Sequence, residues 1–304
     1  MSNSAVSQRL IEEFCQLTAD IEWNVALTQG TGGNSSVKDE QHMVIKASGT
    51  RLSDITATTG YSVLMRQREY KSVASPLTFT QYARPSIEWP LHLACPSKCV
   101  LHLHTLSGIV VGLIMPLETI STADFTLVPY ADPGDDILRV ISNLRVWSNS
   151  TKSVFLRNHG VLAWGDSISE CRQALSHADT VALRVLGISP KNHQSLIDLA
   201  TTGLINNSLA FSKTLDTNWL EFVSTNVLFP DQMVFLGDVT LTDRVDKYGY
   251  VNLSGLSDSQ RETVALLFML GCLVNPDMCV SRIPLEKAKL LAQTEVERHR
   301  KQVG

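Results

Sequence analysis

Residues 99–104 read Cys-Val-Leu-His-Leu-His, an apolar run with the character of a strand. Side chains two apart in a strand leave the same face, so His102 and His104 project together. Two neutral imidazoles side by side are the start of a divalent metal site, and any fold for this chain has to bring further ligands to them. Zinc in a catalytic setting takes three protein ligands and keeps one position open. The candidates for the third are His159, in Leu156-Arg157-Asn158-His159-Gly160, and Glu88 or His92, which stand at i and i+4 on one helix face ahead of the strand. A solitary histidine is more often a hydrogen-bonded core residue; a His-x-His pair with another histidine at the end of a second strand favours a metal.

The rest of the chain alternates helix and strand. Leu10, Ile11, Phe14 and Leu17 recur at helical spacing and predict an opening amphipathic helix. A glycine loop over 29–36 leads to a strand at 43–45 and a polar turn at Ala47-Ser48-Gly49-Thr50. Ser86 predicts the start of a helix that runs through Trp89 and His92 to Pro96. Strands are expected at 99–104, 126–128 and 154–157, and helices at 135–146 and 167–185. These place an α/β core over 1–190. Residues 191–304 read as an α/β extension packed on that core, starting with a polar connector with loose helical turns over 190–215. Later come a strand at 233–236, a hairpin turn at 247–251, a capping box at Ser257–Gln260 before an apolar helix, and one last amphipathic helix opened by Pro284.

Composition removes several function classes. Hydrophobic residues make up 44% of 304, enough to fill a core, so general disorder is excluded. Net charge is −4, leaving no field to hold nucleic acid or an anionic membrane surface. The longest apolar runs, 109–115 and 264–274, fall short of the roughly 20 residues that span a bilayer. The polar N-terminal stretch does not read as a signal peptide and the C-terminus carries no lipidation motif, so a cytoplasmic location is expected. Six cysteines without a C-x-x-C pair read as small buried side chains.

Glu88 beside a dication would have two natural roles, ligand or proton-transfer base. The loop Gly30-Thr31-Gly32-Gly33-Asn34-Ser35 is no dinucleotide fingerprint, because serine stands where the last glycine of G-x-G-x-x-G would fall, and it lacks the G-K-[ST] of a Walker loop. Its backbone N–H groups, with Asn34 and Ser35 as side-chain donors, suit a phosphate or carboxylate oxygen. The turn Ser48-Gly49-Thr50 offers the same chemistry, and Lys46 and Arg84 could add charge.

Taken in order, Gly32-Gly33-Asn34-Ser35-Ser36-Val37, Lys46-Ala47-Ser48-Gly49-Thr50, Arg84-Pro85-Ser86-Ile87-Glu88, Val100-Leu101-His102-Leu103-His104 and Asn158-His159-Gly160 resemble the class II aldolase/adducin family over about residues 5–187. Lys46-Ala47-Ser48-Gly49, Arg84-Pro85-Ser86-Ile87-Glu88 and Phe229-Pro230-Asp231-Gln232-Met233-Val234-Phe235-Leu236-Gly237 are most similar to the aldolase part of bifunctional rhamnulose-1-phosphate aldolase/alcohol dehydrogenase proteins. The resemblance implies a three-layer α/β/α sandwich with a central, mainly antiparallel sheet, and a homotetramer. It implies zinc or another divalent metal on His102, His104 and His159, with Glu88 serving as metal ligand in the empty site and as acid/base with substrate present. Gly33, Asn34, Ser48, Gly49 and Ser86 map onto its phosphate-binding stretch. The activity implied is retro-aldol cleavage of a ketose phosphate or related sugar acid through a zinc-stabilised enediolate. Family epimerases and decarboxylases use the same centre, and the adducin branch keeps the fold for assembly without catalysis. Two departures stand out. Ile87 replaces a second phosphate-binding serine, and no tyrosine lies soon after the His-x-His strand, leaving Tyr130, Tyr248 and Tyr250 as stand-ins for the proton donor.

Overall fold

A computed structural model describes residues 6–19, 21, 24–65, 83–116, 121, 125–148, 150–211, 218–275 and 279–303. Its centre is a seven-stranded sheet: β1 (Asn34–Lys38), β2 (His42–Lys46), β3 (Tyr61–Met65), β4 (Cys99–Leu103), β5 (Leu127–Val128), β6 (Ser153–Leu156) and β7 (Gly160–Gly165). The order is β3-β2-β1-β4-β7-β6-β5, and every neighbouring pair is antiparallel except β5 with β6. The histidine strand β4 is therefore the middle strand of the sheet, the position with most cover on both faces.

Alternation along β4 decides what each face carries. Cys99, Leu101 and Leu103 point to one side, where α1 (Gln8–Ala19) lays Leu10, Ile11, Phe14 and Leu17 on them and α5 (Ile168–Leu186) adds Cys171. Val100 points to the other, with Leu91 of α2 (Trp89–Ala94) and Ile137 and Ile141 of α4 (Asp135–Leu144). Helices thus cover both faces of a mainly antiparallel sheet, which is the expected α/β/α sandwich. His102 belongs to the α2/α4 face.

The later residues form a helical layer. It comprises α6 (Pro190–Ile205), α7 (Asn218–Thr225), α8 (Pro230–Leu236), α9 (Asp258–Leu273), α10 (Leu285–Ala292) and α11 (Glu295–Val303), with the small pair β8 (Ser208–Leu209) and β9 (Val251–Asn252). The helix α9 starts at the expected capping box, Ser257 with Gln260. Val264, Ala265, Leu266, Leu267, Phe268, Met269 and Leu270 are all at 0% exposure, so this stretch of the helix is apolar all round because it is buried all round. Its cluster includes Leu106, Ile109 and Val110 of α3 (Leu106–Ile114), a helix of the sandwich, along with Val25 and Ala26.

Several expectations need correction. Residues 233–236 lie in helix α8, not a strand: Pro230 occupies the first helical turn, and Val234, Phe235 and Leu236 are buried, a short apolar run whose period does not separate helix from strand. Within 190–215, the residues 190–205 form α6, capped by Ser189 and burying Leu196, Ile197, Ala200 and Gly203 at helical spacing, while 212–215 lie outside the described residues. The helix expected from Ser86 begins at Trp89, with Glu88 at its N-cap and Pro90 in its first turn. The last helix is two, α10 and α11, divided at 293–294. The hairpin turn at 247–251 forms, with Asp246 N donating to Tyr250 O at 2.9 Å. Cys95, Cys99 and Cys171 are buried as expected, whereas Cys279 is exposed. No helix among the described residues is long and apolar enough to cross a membrane.

Phe268→Ala is expected to cost about 3–5 kcal/mol, read as a lower urea midpoint at unchanged slope, because the site cannot collapse around the lost ring.

Candidate active site

The sheet register brings the site together. Asn34 of β1 lies directly across from His102 of β4, and His102 pairs on its other side with Leu162 of β7. His159 occupies the turn between β6 and β7, where Asn158 has φ 59° and His159 N bonds Leu156 O at 3.0 Å. A β-carbon on Gly160 would stand 2.2 Å from the Leu103 carbonyl, so only glycine lets this turn close on the end of β4. Ligand atoms of His102, His104 and His159 consequently lie within 4.8 Å of one another, and all three residues are buried.

Hydrogen bonds set the tautomers. His102 Nδ1 donates to the Val161 carbonyl at 3.1 Å, leaving the lone pair on Nε2. His104 Nδ1 donates to Asp231 Oδ2 at 2.8 Å. His102 Nε2, His159 Nδ1 and Glu88 Oε1 are buried without a hydrogen-bond partner. Glu88 Oε2 stands 3.5 Å from His102 Nε2 and accepts a bond from Asn34 Nδ2 at 2.6 Å.

His92 does not join the cluster. Its Nε2 donates to Asn34 Oδ1 and its Nδ1 lies 2.8 Å from Ser36 Oγ, so both ring nitrogens are engaged. The ring orients Asn34, which in turn holds Glu88. Between the two helix residues weighed as ligands, Glu88 faces the histidines. The segment before it is laid along the end of β2, with Ser86 N donating to Lys46 O at 3.0 Å and Ser48 N to Arg84 O at 2.8 Å.

A cavity of about 30 Å³ opens beside the cluster. Among its lining residues are Gly33, Asn34, Ser48, Ser86, Glu88, His104 and His159. Gly49, at φ 80°, shapes the adjacent turn and does not line it. Arg84 is on an outer groove, paired with Glu295 at 2.9 Å. None of Tyr130, Tyr248 and Tyr250 lines the cavity; the Tyr130 hydroxyl donates to Asp132 at 3.0 Å.

Four charged residues on the cavity wall carry more than sequence reasoning assigned them. Lys46, fully enclosed, bonds Thr31 O at 3.0 Å, and burial together with the nearby Arg300 cation brings its ammonium down to about 7. Arg300 of α11 donates to Asp231 Oδ1 at 2.8 Å and to Glu297 Oε2 at 2.7 Å. Burial pushes Asp231 upward, but Arg300 and His104 outweigh it and hold the carboxyl well below the usual carboxylate range. Glu297 is pushed up, by burial first and by Asp231 and Glu88 next. Lys46 and Asp231 stand in stretches that carry the family resemblance, though nothing there assigns them to the site; Glu297 and Arg300 come from the last helix, with no local pattern to mark them.

The family model for the class II aldolase and adducin N-terminal domain matches residues 12–185, more than half of the 304-residue chain. The chain belongs to the class II aldolase and adducin family. An L-fuculose phosphate aldolase of Haemophilus influenzae is 23% identical over 60% of this chain and 82% of its own length. A methylthioribulose-1-phosphate dehydratase of Pseudoalteromonas translucida is 24% identical over 63% of this chain and 98% of its own. The N-terminal class II aldolase domain of a conserved protein from Thermoplasma acidophilum superposes with a TM-score of 0.49 at 20% identity, over 61% of this chain and 97% of that domain. The class II aldolase match ends at α5, so α8 and α11, the sources of Asp231 and Arg300, lie beyond it.

The donor set fits a divalent cation. Buried polar atoms almost always have partners, and here unpartnered imidazole nitrogens and a carboxylate oxygen gather in one place. Burial holds His102 below the ordinary imidazole value, and burial with its histidine neighbours does the same for His159, so both are neutral donors near pH 7, as metal ligation requires. Burial lowers His92 likewise.

These three rings make the metal-free protein acid-sensitive. The unfolded chain takes up protons near pH 6.5 that the folded one refuses, so stability is expected to fall from pH 7 toward 5 by up to about 1.4 kcal/mol per pH unit for each ring. Urea unfolding across that range checks the sign; stability that is flat or rises toward pH 5 would mean the rings charge in place.

Proposed function

We propose that the protein is a metal-dependent aldehyde-lyase that cleaves a ketose phosphate or related sugar acid by a retro-aldol reaction. The observation that carries this reading is the gathering of three buried imidazoles with the Glu88 carboxylate at a cavity lined by small polar donors. His102, His104 and His159 would hold the cation, with zinc the first choice because three nitrogen donors leave a position open. Bound there, the cation supplies stabilisation for negative charge on adjacent carbonyl and hydroxyl oxygens of the substrate.

The chain's own groups do the rest. Glu88 takes the proton from the substrate hydroxyl as the carbon–carbon bond breaks and returns one to the enediolate carbon. Its Oε2 is oriented by Asn34, and Oε1 has no partner within the protein, leaving an oxygen for the proton. Ser48 Oγ is likewise buried without a partner and, with Ser86 and Asn34, suits the anionic end of the substrate, while Gly33 and Gly49 give those turns their backbone form. Lys46 adds a cation on the same wall when protonated. The two curated relatives act, by their names, on phosphorylated sugars, which favours a phosphate at that end.

On this reading residues 1–190 are the catalytic core, 191–304 close over it, and the protein works as a cytoplasmic homotetramer.

His104→Ala should abolish both bound metal, by elemental analysis, and turnover. Glu88→Gln should keep the metal and lose about 10²–10⁴ in rate; undiminished turnover would remove Glu88 from proton transfer. Product analysis over phosphorylated sugars and sugar acids separates the reactions, since cleavage yields two carbonyl fragments. One product with an intact carbon skeleton, or release of carbon dioxide, would replace the lyase with an epimerase, dehydratase or decarboxylase.

A further inference from the structure

We infer that Asp231 is a positioning residue for the metal centre, and that the C-terminal helix α11 sets it in place through Arg300. The inference rests on the metal reading above. Asp231 is at 0% exposure and divides its two oxygens: Oδ2 takes the Nδ1 proton of His104 and Oδ1 takes an Arg300 N–H, each at 2.8 Å. The other side of the guanidinium is held by Glu297 at 2.7 Å, so a continuous chain Glu297–Arg300–Asp231–His104 runs from the last helix to a ring of the cluster.

The three histidines are held differently. His102 leans on a backbone carbonyl, fixed by the β4–β7 register, and the turn fixes His159. His104 stands one residue past the end of β4, where the ladder no longer holds the chain, and its bond partner is a carboxylate from a helix far along the sequence. A carboxylate behind a ligating imidazole fixes the tautomer and ring orientation and makes the far nitrogen a stronger donor. The loop is fitted to that pair: a β-carbon on Gly32 would lie 2.5 Å from Asp231 Oδ2 and 2.9 Å from His104 Nδ1. An ion pair serving only to tether α11 would need Arg300 and Asp231 alone. The second oxygen of Asp231, aimed at the ring, is what makes the pair part of the site.

The test uses full-length protein and cobalt(II) in competition with a chromophoric chelator, reading affinity and the visible spectrum of the bound ion, with melting of the metal-free forms in parallel. Asp231→Asn is expected to bind cobalt about 10–100-fold more weakly, with an altered visible band. Arg300→Gln, which leaves Asp231 without its second clamp, is expected to weaken binding in the same direction by a smaller factor. Wild-type affinity and spectrum in both variants would overturn the inference, whatever their melting temperatures. If Asp231→Asn does not fold, Arg300→Gln decides alone by the same criterion. A wild type that takes up no cobalt would overturn the metal reading and this one with it, whereas a wild type that binds beside variants that bind equally well overturns this one only.

Discussion

Three buried imidazoles within 4.8 Å of one another are a liability unless something holds their lone pairs. His102 and His104 each spend an N–H on a fixed acceptor, the Val161 carbonyl and the Asp231 carboxylate, while His102 Nε2 and His159 Nδ1 are left without a partner. The arrangement of the sandwich around β4 can be read as the solution. The strand occupies the middle of the sheet, its odd-numbered residues bury against α1 and α5, and its even-numbered ones take the other face, Val100 against α2 and α4 and His102 at the site. A one-residue slip of that strand would put the histidines into the α1 core and leucines into the cavity, so the apolar pattern and the chemical one enforce the same register.

Around the rings, polar groups are arranged in relays. Ser36, His92 and Asn34 pass a fixed orientation to Glu88. Asn158, held by Leu228 O at 2.7 Å and Ser281 O at 3.1 Å, anchors the His159 turn to the helical layer. Glu262 of α9 accepts from Gly30 N at 2.6 Å and pairs with Arg51, holding the start of the glycine loop. Two elements of the site, the His159 turn and the glycine loop, are thus braced by residues beyond 187, the second of them from the buried helix α9. Buried polar groups of this kind cost most when only half satisfied, which ties the integrity of the later layer to that of the site.

Much of this was legible along the chain because it depends on short-range patterns. The opening helix, the histidine strand, the capping box of α9 and the approach of His159 all follow from periodicity and local chemistry. Local pattern fails for the opposite reason at 233–236, which form a helix and not the expected strand, and at 190–205, a full helix where a connector with loose helical turns is expected. The first is too short for its period to speak. In the second, only Leu196, Ile197, Ala200 and Gly203 of sixteen residues are buried, a thin apolar face that packs against α9.

What the sequence by itself determined is a pair of imidazoles two apart in a strand, with His159, Glu88 and His92 as the candidates to join them. Spacing in one dimension is enough there, because strand alternation turns it into direction. Which of Glu88 and His92 would face the cluster, and which carboxylate would stand behind His104, only the tertiary structure decided. Those outcomes depend on Asn34 lying across from His102 and on α8 and α11 folding back over a cavity more than 100 residues away in the chain, contacts for which no local pattern exists.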